Sequence, residues 1–154
     1  MMVHITHKHF SELTTQECYN LLSFRESIFV VEQHCPYLDA DGLDTQAFHV
    51  MVHNGTTLIA CCRILAPNVA YAEPAIGRVA VHKEYRGLSI GKELMKYAIT
   101  LLYHLYGNVS IHISAQEYLR KFYSDLGFTT VSEIYLEDGI PHISMIKYTN
   151  RDNV

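Results

Sequence analysis

Hydrophobic positions along the chain change from a strand-type to a helix-type period near residue 90. Val79, Ala80 and Val81 form a short apolar run that is typical of a strand. Further along, apolar residues recur at the spacing of one helix face: Leu94, Ala98, Leu101, Leu102 and Leu105. The pattern predicts a strand that leads through a turn into a long helix, which ends near Tyr106 because Gly107 follows.

The residues before this change are predicted to form mainly strands. Alternation indicates strands over four ranges: 3–10, 47–53, 57–65 and 76–81. Asn54-Gly55 between two of them is a strong hairpin signal. A helix is predicted after Thr14, because Thr14 and Glu17 have the spacing of a capping box and apolar residues follow at helical intervals. Residues 30–44 are predicted to form an ordered loop.

After the long helix, the pattern predicts a strand, a helix and two more strands. Their ranges are 109–114, 115–128, 130–135 and 142–148. Gly127 is placed to end the helix, and a turn is expected at residues 137–139. A strand, a helix and a strand in succession form a crossover, for which parallel pairing is expected. The fold class is therefore α/β, in a single domain over residues 1–154.

The turn between the strand and the long helix has the chemistry of an anion site. It contains Gly87 and Gly91, and Arg86 and Lys92 add positive charge. The first turn of a helix offers unpaired N–H groups, so a phosphate or pyrophosphate is the preferred ligand. The spacing of the two glycines matches neither the Walker loop nor the Rossmann fingerprint.

Composition restricts the classes of function and partner that the chain can have. Hydrophobic residues make up 49% of the 154 positions, charged residues 18%, and the net charge is -4. A soluble enzyme or binding domain fits these values, and the absence of a basic stripe disfavours nucleic-acid binding. No signal peptide and no membrane-length apolar run is present in the sequence, so a cytoplasmic location without a membrane partner is expected.

Cysteine and histidine positions give no metal signature. The four cysteines contain no Cys-x-x-Cys pair and are interpreted as reduced thiols. His7 and His9 would share one face of a strand while His4 points to the other, so the three do not form a local ligand set.

Aspartates in the 30–44 segment invite two interpretations. Asp39, Asp41 and Asp44 could suggest calcium, but Gly42 does not fit an EF-hand loop. Together with Glu32, they could instead attract a cationic amine, and the alternative is a solvated acidic loop. No metal is expected.

The anion-binding turn resembles a known cofactor loop. Arg86-Gly87-Leu88-Ser89-Ile90-Gly91 resembles the acyl-CoA loop of the GCN5-related N-acetyltransferases (GNAT), written Gln/Arg-x-x-Gly-x-Gly/Ala. Ser89 departs from the middle glycine of that pattern. A second block, Phe122 to Phe128, resembles the block that ends the cofactor site in the same family.

Further motifs resemble the ElaA-like branch of this family over nearly the full length. They are Arg25, Phe29-Val30-Val31-Glu32-Gln33, Cys35-Pro36-Tyr37, Asp39, Asp41-Gly42, Asp44, His49, Ile76-Gly77-Arg78-Val79, Ala115-Gln116 and Gly139-Ile140-Pro141-His142. The resemblance implies a mixed sheet of six or seven strands, with an antiparallel N-terminal half, a splayed parallel pair in the middle and helices on both faces. Pantetheine is expected in the splay, between residues 79–81 and 109–114.

The resemblance also implies a cofactor and the residues that bind it. The cosubstrate is acetyl-CoA, whose pantetheine amides would pair with the backbone of Val79 and Val81, and whose pyrophosphate would take the amides from Arg86 to Lys92. The expected cofactor-binding residues are Val79, Ala80, Val81, Arg86, Gly87, Leu88, Ser89, Ile90, Gly91, Lys92 and Gln116.

The implied activity is acetyl transfer to a primary amine of a small molecule, peptide or protein, by direct attack in a ternary complex. An amine with a pKa of about 10.4 is neutral only about one part in 10³ at pH 7, so a base is needed. Glu32 is the first candidate, with His49 and His142 behind it, and Tyr123 is the candidate acid for the leaving thiolate. Residues expected to bind the acceptor are Glu32, Asp41, His49 and His142.

Two other functions remain open at this point. A non-catalytic acyl-CoA sensor would keep the loop but lack the acid and base, and a thiol enzyme would use Cys35, for which no partner motif is found. The expected partners are acetyl-CoA and an amine, with no nucleic acid and no membrane, and a homodimer is compatible with the family.

Overall fold

Eight strands and three α-helices follow one another along residues 1–149, the part of the chain that the computed structural model describes. Residues 150–154 of the predicted domain lie outside it. The strands are β1 Val3–His9, β2 Phe48–Asn54, β3 Thr57–Leu65, β4 Ala75–Val81, β5 Ile111–Gln116, β6 Thr129–Thr130, β7 Tyr135–Glu137 and β8 Ile140–Lys147. The helices are α1 Thr15–Glu26, α2 Ile90–Tyr106 and α3 Arg120–Ser124.

All eight strands belong to one sheet. Its order is β1-β2-β3-β4-β5-β8-β6, and β7 also pairs with β8. Only β4 and β5 run parallel, as expected for the strands on either side of the α2 crossover. The predicted α/β class, with an antiparallel N-terminal half and a parallel pair in the middle, is confirmed.

The strand number differs from the expected six or seven. The single strand predicted over residues 130–135 is divided into β6 and β7, which pair with different parts of β8. Val131 to Ile134 lie outside both strands, although the Val131 N–H still donates to the Ser144 carbonyl of β8 at 2.9 Å. The short pattern of apolar residues did not predict this break, because β6 and β7 are both extended segments.

Helices cover both faces of the sheet. One face packs against α2, whose buried residues are Ile90, Leu94, Met95, Ala98, Ile99, Leu101 and Leu102. The other face packs against α1 and the residues after it, where Leu21 and Ile28 meet Met51, Cys61 and Ala80. Full burial of each leucine, isoleucine or methionine side chain among them contributes about 1.5–3 kcal/mol to stability. Within residues 1–149, no helix has the length and hydropathy that a membrane crossing requires.

The predicted capping box begins α1. The Thr14 hydroxyl accepts from the Glu17 N–H, and the Glu17 carboxylate accepts from the Thr14 N–H, at 3.1 and 2.9 Å. The helix then continues as a π-helical turn, Ser27–Glu32. The predicted loop over residues 30–44 therefore begins three residues late, at Gln33, because Val30 to Glu32 remain helical.

The helix predicted over residues 115–128 is much shorter than its pattern suggested. Ala115 and Gln116 still belong to β5, where they pair with Ile143 and His142 of β8. A short 3-10 turn, Glu117–Leu119, precedes α3. Gly127 ends the segment in the left-handed conformation, with a φ of 96°. Strand pairing thus overrides the helical periodicity at the start of this segment.

Candidate active site

A cleft opens where the two parallel strands separate. Ala75 and His112 are the single pair in register between β4 and β5, and beyond them the strands diverge. The opening forms a cleft of about 780 Å³, a size that is typical of small-molecule sites. Because the strands are not paired there, backbone groups of β4 that face β5 are free to bind a ligand.

The glycine-containing turn over residues 86–92 lines this cleft, and we call it the donor loop. The cleft is lined there by Arg86, Gly87, Ser89, Ile90, Gly91 and Lys92, and Leu88 lies in the same turn with about half of its surface exposed. Helix α2 begins at Ile90, so its unpaired N–H groups face the cleft together with the positive end of the helix dipole. These groups fit a pyrophosphate.

Ser89 adopts the conformation that the middle glycine of the loop pattern would supply. Its φ and ψ are 63° and 13°, in the left-handed region that glycine occupies most easily. Gly87 is also left-handed, with a φ of 79°. Gly91 is helical instead, and a Cβ built on it would lie 3.6 Å from both Phe122 and Val81. The turn therefore keeps its shape although a serine stands in the middle position.

Arg86 reaches across the mouth of the cleft. Its Nε donates to the Val81 carbonyl at 2.9 Å, and its Nη2 donates to the Glu32 carboxylate at 2.8 Å. Both side chains are partly exposed, at 45% and 35%. Arg86 and Glu32 therefore come together, but each is engaged by the other in this conformation.

Tyr123 lies at the inner wall of the cleft. Helix α3 carries it against the rings of Phe122 and Phe128, with centroids 5.0 and 6.1 Å away in edge-on arrangements. Burial raises the pKa of the Tyr123 hydroxyl above its usual range, so the hydroxyl stays protonated at neutral pH. It can donate a hydrogen bond, but it is a weak acid.

The segment from Glu32 to Cys35 crosses in front of the splay. Gln116 at the end of β5 donates its side-chain amide to Gln33 at 3.4 Å. Cys35 donates its thiol to the Asp138 carbonyl at 3.2 Å, in the turn between β7 and β8. With the Arg86 to Glu32 pair, these contacts connect the segment to three walls of the cleft.

A cluster of polar side chains lines the cleft at the β7 to β8 hairpin. His142 is buried, and its Nδ1 donates to the Ile140 carbonyl at 2.7 Å. Its Nε2 lies 3.2 Å from a carboxylate oxygen of Glu137. The other Glu137 oxygen accepts from the Ser114 hydroxyl at 3.4 Å, and that hydroxyl also contacts Tyr135.

Sequence reasoning missed Glu137. It had been assigned only to a turn, because its charge and its neighbours Asp138 and Gly139 are typical of one. The register of the hairpin, in which Tyr135 lies opposite His142 and Glu137 opposite Ile140, could have placed it beside His142. That register follows once Asp138 and Gly139 are identified as a two-residue turn.

Asp41 belongs to a network of ion pairs whose other two aspartates are buried, and it does not line the cleft. Arg63 contacts Asp41 at 2.5 Å and Asp44 at 3.0 Å. Arg25 contacts Asp39 and Asp44, both at 2.7 Å. Arg78, which lines the cleft at a left-handed bulge of β4, completes the network through Asp39 and Asp41. Three arginines balance three aspartates, so the predicted acidic loop carries no free charge for an amine.

The network also perturbs the titration of its carboxyl groups. Burial by itself would raise the pKa of Asp44, but hydrogen bonds and charges from Arg25 and Arg63 outweigh it and hold the pKa below its usual value. Asp41 shows the same balance, with Arg63 and Arg78 as partners, and its pKa is lowered further. Both carboxylates are therefore ionised at neutral pH and act as partners of the arginines.

His49 is buried outside the cleft as well. Only 1% of its surface is exposed, and its Nε2 donates to the Asp44 carbonyl at 2.9 Å. Burial lowers its pKa, which keeps the imidazole neutral. The geometry gives both His49 and Asp41 structural partners instead of a position facing the acceptor.

The described part of the chain, residues 1–149, has no group of three or more His, Cys, Asp or Glu side chains arranged to hold a metal ion. Charged side chains of two separate elements also line the cleft. Arg86 and Lys92 lie at the α2 N-terminus, and Glu137 and Asp138 lie in the β7 to β8 hairpin. This arrangement suits an anionic ligand group beside the helix and a cationic ligand group beside the hairpin.

Comparison with known families gives a direct match. The model of the acetyltransferase (GNAT) domain matches residues 30–149, which include the donor loop, Tyr123 and the β7 to β8 hairpin. ElaA from Escherichia coli is 39% identical over 141 residues, which cover 90% of this chain and 92% of ElaA.

Solved structures show the same similarity. A crystal structure of an acyl-CoA N-acyltransferase from Pseudomonas aeruginosa is 39% identical, with a TM-score of 0.90 and coverage of 94% of this chain and 99% of that one. The crystal structure of E. coli ElaA gives a TM-score of 0.89 and coverage of 95% and 99%. An aminoglycoside 6'-N-acetyltransferase complexed with coenzyme A shares the fold at 14% identity, with a TM-score of 0.69 and coverage of 93% and 96%.

Proposed function

The chain belongs to the GNAT family of acetyltransferases and to its ElaA-like branch, and we propose that it transfers an acetyl group from acetyl-CoA to a primary amine. The amine attacks the thioester directly while both substrates occupy the cleft. The observation that carries the proposal is the composition of the cleft, where a helix N-terminus, Tyr123 and Glu32 line one continuous opening. A non-catalytic sensor would have no need for an acid and a base in that opening.

Acetyl-CoA would bind at the end of the cleft formed by the α2 N-terminus. Amides from Arg86 to Lys92 take the pyrophosphate, and the backbone of Val79, Ala80 and Val81 runs beside the pantetheine. Support comes from the separation of β4 and β5, which leaves that backbone unpaired, and from the related fold that was solved with coenzyme A. Gln116, at the end of β5, adds a side-chain contact.

Glu32 would take the proton of the attacking amine. An ammonium with a pKa of about 10.4 requires roughly 4–5 kcal/mol to become neutral at pH 7, so the base removes a substantial part of the barrier. In the free protein Arg86 neutralises Glu32. Once the pyrophosphate attracts the Arg86 guanidinium, the carboxylate loses its cation and becomes a better base.

Tyr123 would assist departure of the thiolate by hydrogen bonding to its sulfur. A free thiol has a pKa near 8.5, well below that of the buried tyrosine, so complete proton transfer from Tyr123 is uphill. Partial donation in the transition state is therefore the proposed role. The edge-on packing against Phe122 and Phe128 holds the ring in a fixed orientation.

His142 remains the proposed acceptor-binding residue, because it lines the cleft beside Glu137. Asp41 and His49 are not assigned to the acceptor, since their partners lie in the ion network. A cytoplasmic location, a homodimer and the lack of nucleic-acid and membrane partners stay predictions.

A thiol-release assay with acetyl-CoA and a panel of small amines, amino acids and peptides tests the proposal. Coenzyme A binding is measured in parallel by calorimetry. We expect binding of coenzyme A together with amine-dependent thiol release, and mass spectrometry should find the acetylated amine. Binding of coenzyme A without release on any amine would instead support the sensor.

A further inference from the structure

Glu137 lines the cleft at the β7 to β8 hairpin, which we call the acceptor end because His142 there is the proposed acceptor-binding residue. It closes the two-residue hairpin between β7 and β8, where it lies opposite Ile140. Ser114 donates to one carboxylate oxygen at 3.4 Å, and His142 lies 3.2 Å from the other. About 46% of the side chain remains exposed. An ionised carboxylate accepts about four hydrogen bonds, so Glu137 keeps free lone pairs for a ligand.

The hydrogen-bond pattern of His142 indicates what kind of ligand group fits beside it. A carbonyl oxygen can only accept, so the contact with Ile140 requires the hydrogen of His142 to lie on Nδ1. In a neutral imidazole, Nε2 is then an acceptor that faces a second acceptor, the Glu137 carboxylate. A ligand N–H group placed within reach of both atoms supplies the donor that this pair lacks, and burial of His142 increases the benefit.

The surrounding charges favour a cation. The three arginines and three aspartates beside the cleft neutralise one another, and Arg86 pairs with Glu32. Among the ion pairs of residues 1–149, Glu137 has no lysine or arginine partner. Asp138 is exposed next to it. An ammonium is therefore attracted to this end, and a carboxylate on the same ligand would be repelled.

Apolar side chains lie beside this charged wall. Tyr37 and Leu38 line the cleft while 54% and 89% of their surfaces are exposed. Ile140 lines it from the hairpin side. Covering these side chains with an apolar stem would favour binding, because apolar surface is removed from water.

From these observations we propose that Glu137, oriented by Ser114 and adjacent to His142, is the residue that selects the acceptor, and that the acceptor is a primary amine on an apolar stem with no carboxylate beside the nitrogen. The inference rests on the proposed acetyl transfer, whose cleft and acceptor end it uses. Glu137 binds the ammonium, and its position favours amines over α-amino acids.

The test uses two probes that differ by one carboxylate, 2-phenylethylamine and phenylalanine. We expect kcat/KM for 2-phenylethylamine to exceed that for phenylalanine at least tenfold. Glu137→Gln should raise KM for 2-phenylethylamine about tenfold or more, with coenzyme A affinity unchanged, since it keeps the shape and removes the charge. Glu133→Gln, which removes an exposed glutamate of the same segment outside the cleft, is the matched control and should behave as the parent.

Calorimetry of 2-phenylethylamine on the protein saturated with coenzyme A gives a readout that does not require turnover. Weaker binding to Glu137→Gln than to the Glu133→Gln control supports the assignment, whether or not thiol is released. Equal binding by the two variants, or a preference for phenylalanine, overturns it. Failure of acetyl transfer itself would appear separately, as absence of thiol release with every amine. Thermal unfolding of each variant shows that it is folded.

Discussion

Arg86 and Glu32 form an ion pair across the mouth of the cleft, with 2.8 Å between Nη2 and the carboxylate, while the same guanidinium donates to the Val81 carbonyl. These groups are the ones that the donor and the amine are expected to use. In the free protein they satisfy one another, so binding of acetyl-CoA has to exchange a protein contact for a ligand contact.

Glu32→Gln should therefore strengthen binding of coenzyme A. The substitution removes the charge that competes with the pyrophosphate for Arg86, and exposed pairs of this kind are worth about 0.2–1 kcal/mol, which corresponds to an increase of up to about fivefold in affinity. Calorimetry measures it directly. Glu84→Gln, which removes a charge near the same turn without an ion pair to Arg86, is the control. An affinity equal to that of the control would show that the pair does not compete.

Ser89→Gly should leave coenzyme A affinity equal or improved. Ser89 is left-handed, a conformation that disfavours a non-glycine residue by about 1–2 kcal/mol. Glycine removes this strain but increases the freedom of the unfolded chain by about 0.4–1 kcal/mol, so the net change in stability should be small. Denaturant unfolding and calorimetry check both quantities. A large loss of affinity in both Ser89→Gly and Ser89→Ala would show that the hydroxyl itself holds phosphate.

The sequence correctly predicted the strand-to-helix turn before α2 and the start of α1, because signals within a few residues determine both. Glycine positions, the strand-to-helix change and the Thr14 capping box act over a few residues, and the structure shows each of them. The extent of α3 could not be predicted in the same way. The first residues of the predicted helix, Ala115 and Gln116, pair instead with β8, which lies almost thirty positions further along the chain, and periodicity within one segment does not report such pairing.

Prediction from sequence has the same limit for the residues that are candidates to bind the acceptor. Asp41 and Glu137 are both acidic residues in irregular or turn segments, and composition does not separate them. Only the fold reveals that Arg63 and Arg78 use the Asp41 carboxylate, whereas Glu137 faces the cleft beside His142. A charge in the sequence indicates a binding group only when its partners are known.

Asp41→Asn should reduce the loss in the free energy of unfolding that occurs when the pH is lowered. Arg63 and Arg78 lower the pKa of Asp41 in the folded state below the unfolded value of about 3.9. Its stabilising contribution is thus fully present above about pH 4 and is lost as the pH falls toward the folded-state pKa. The free energy of unfolding in denaturant, measured at pH 7 and pH 3, should differ less in the variant than in the parent. An unchanged difference would mean that Asp41 does not contribute to the acid sensitivity.

Replacement of Tyr123 distinguishes an acetyltransferase from a non-catalytic acyl-CoA sensor. Tyr123→Phe keeps the ring and its edge-on contacts with Phe122 and Phe128, and it removes only the hydroxyl. Acid catalysis is typically worth about 10² to 10⁴ in rate, so kcat on a verified amine should fall by that order while coenzyme A affinity changes little. Because burial raises the pKa of Tyr123, the parent rate should show no loss from its ionisation near pH 10, the usual tyrosine value.

The matched control for this variant is Tyr106→Phe. Burial also raises the pKa of Tyr106, but this residue ends α2 and lies outside the cleft, so its hydroxyl has no role in the reaction. Thermal unfolding of both variants shows whether the loss of a hydroxyl has disturbed packing. If Tyr123→Phe and Tyr106→Phe both turn over as fast as the parent, Tyr123 does not assist the leaving thiolate. Protonation by solvent would then be sufficient, and the raised pKa of Tyr123 would be a consequence of its place in the core.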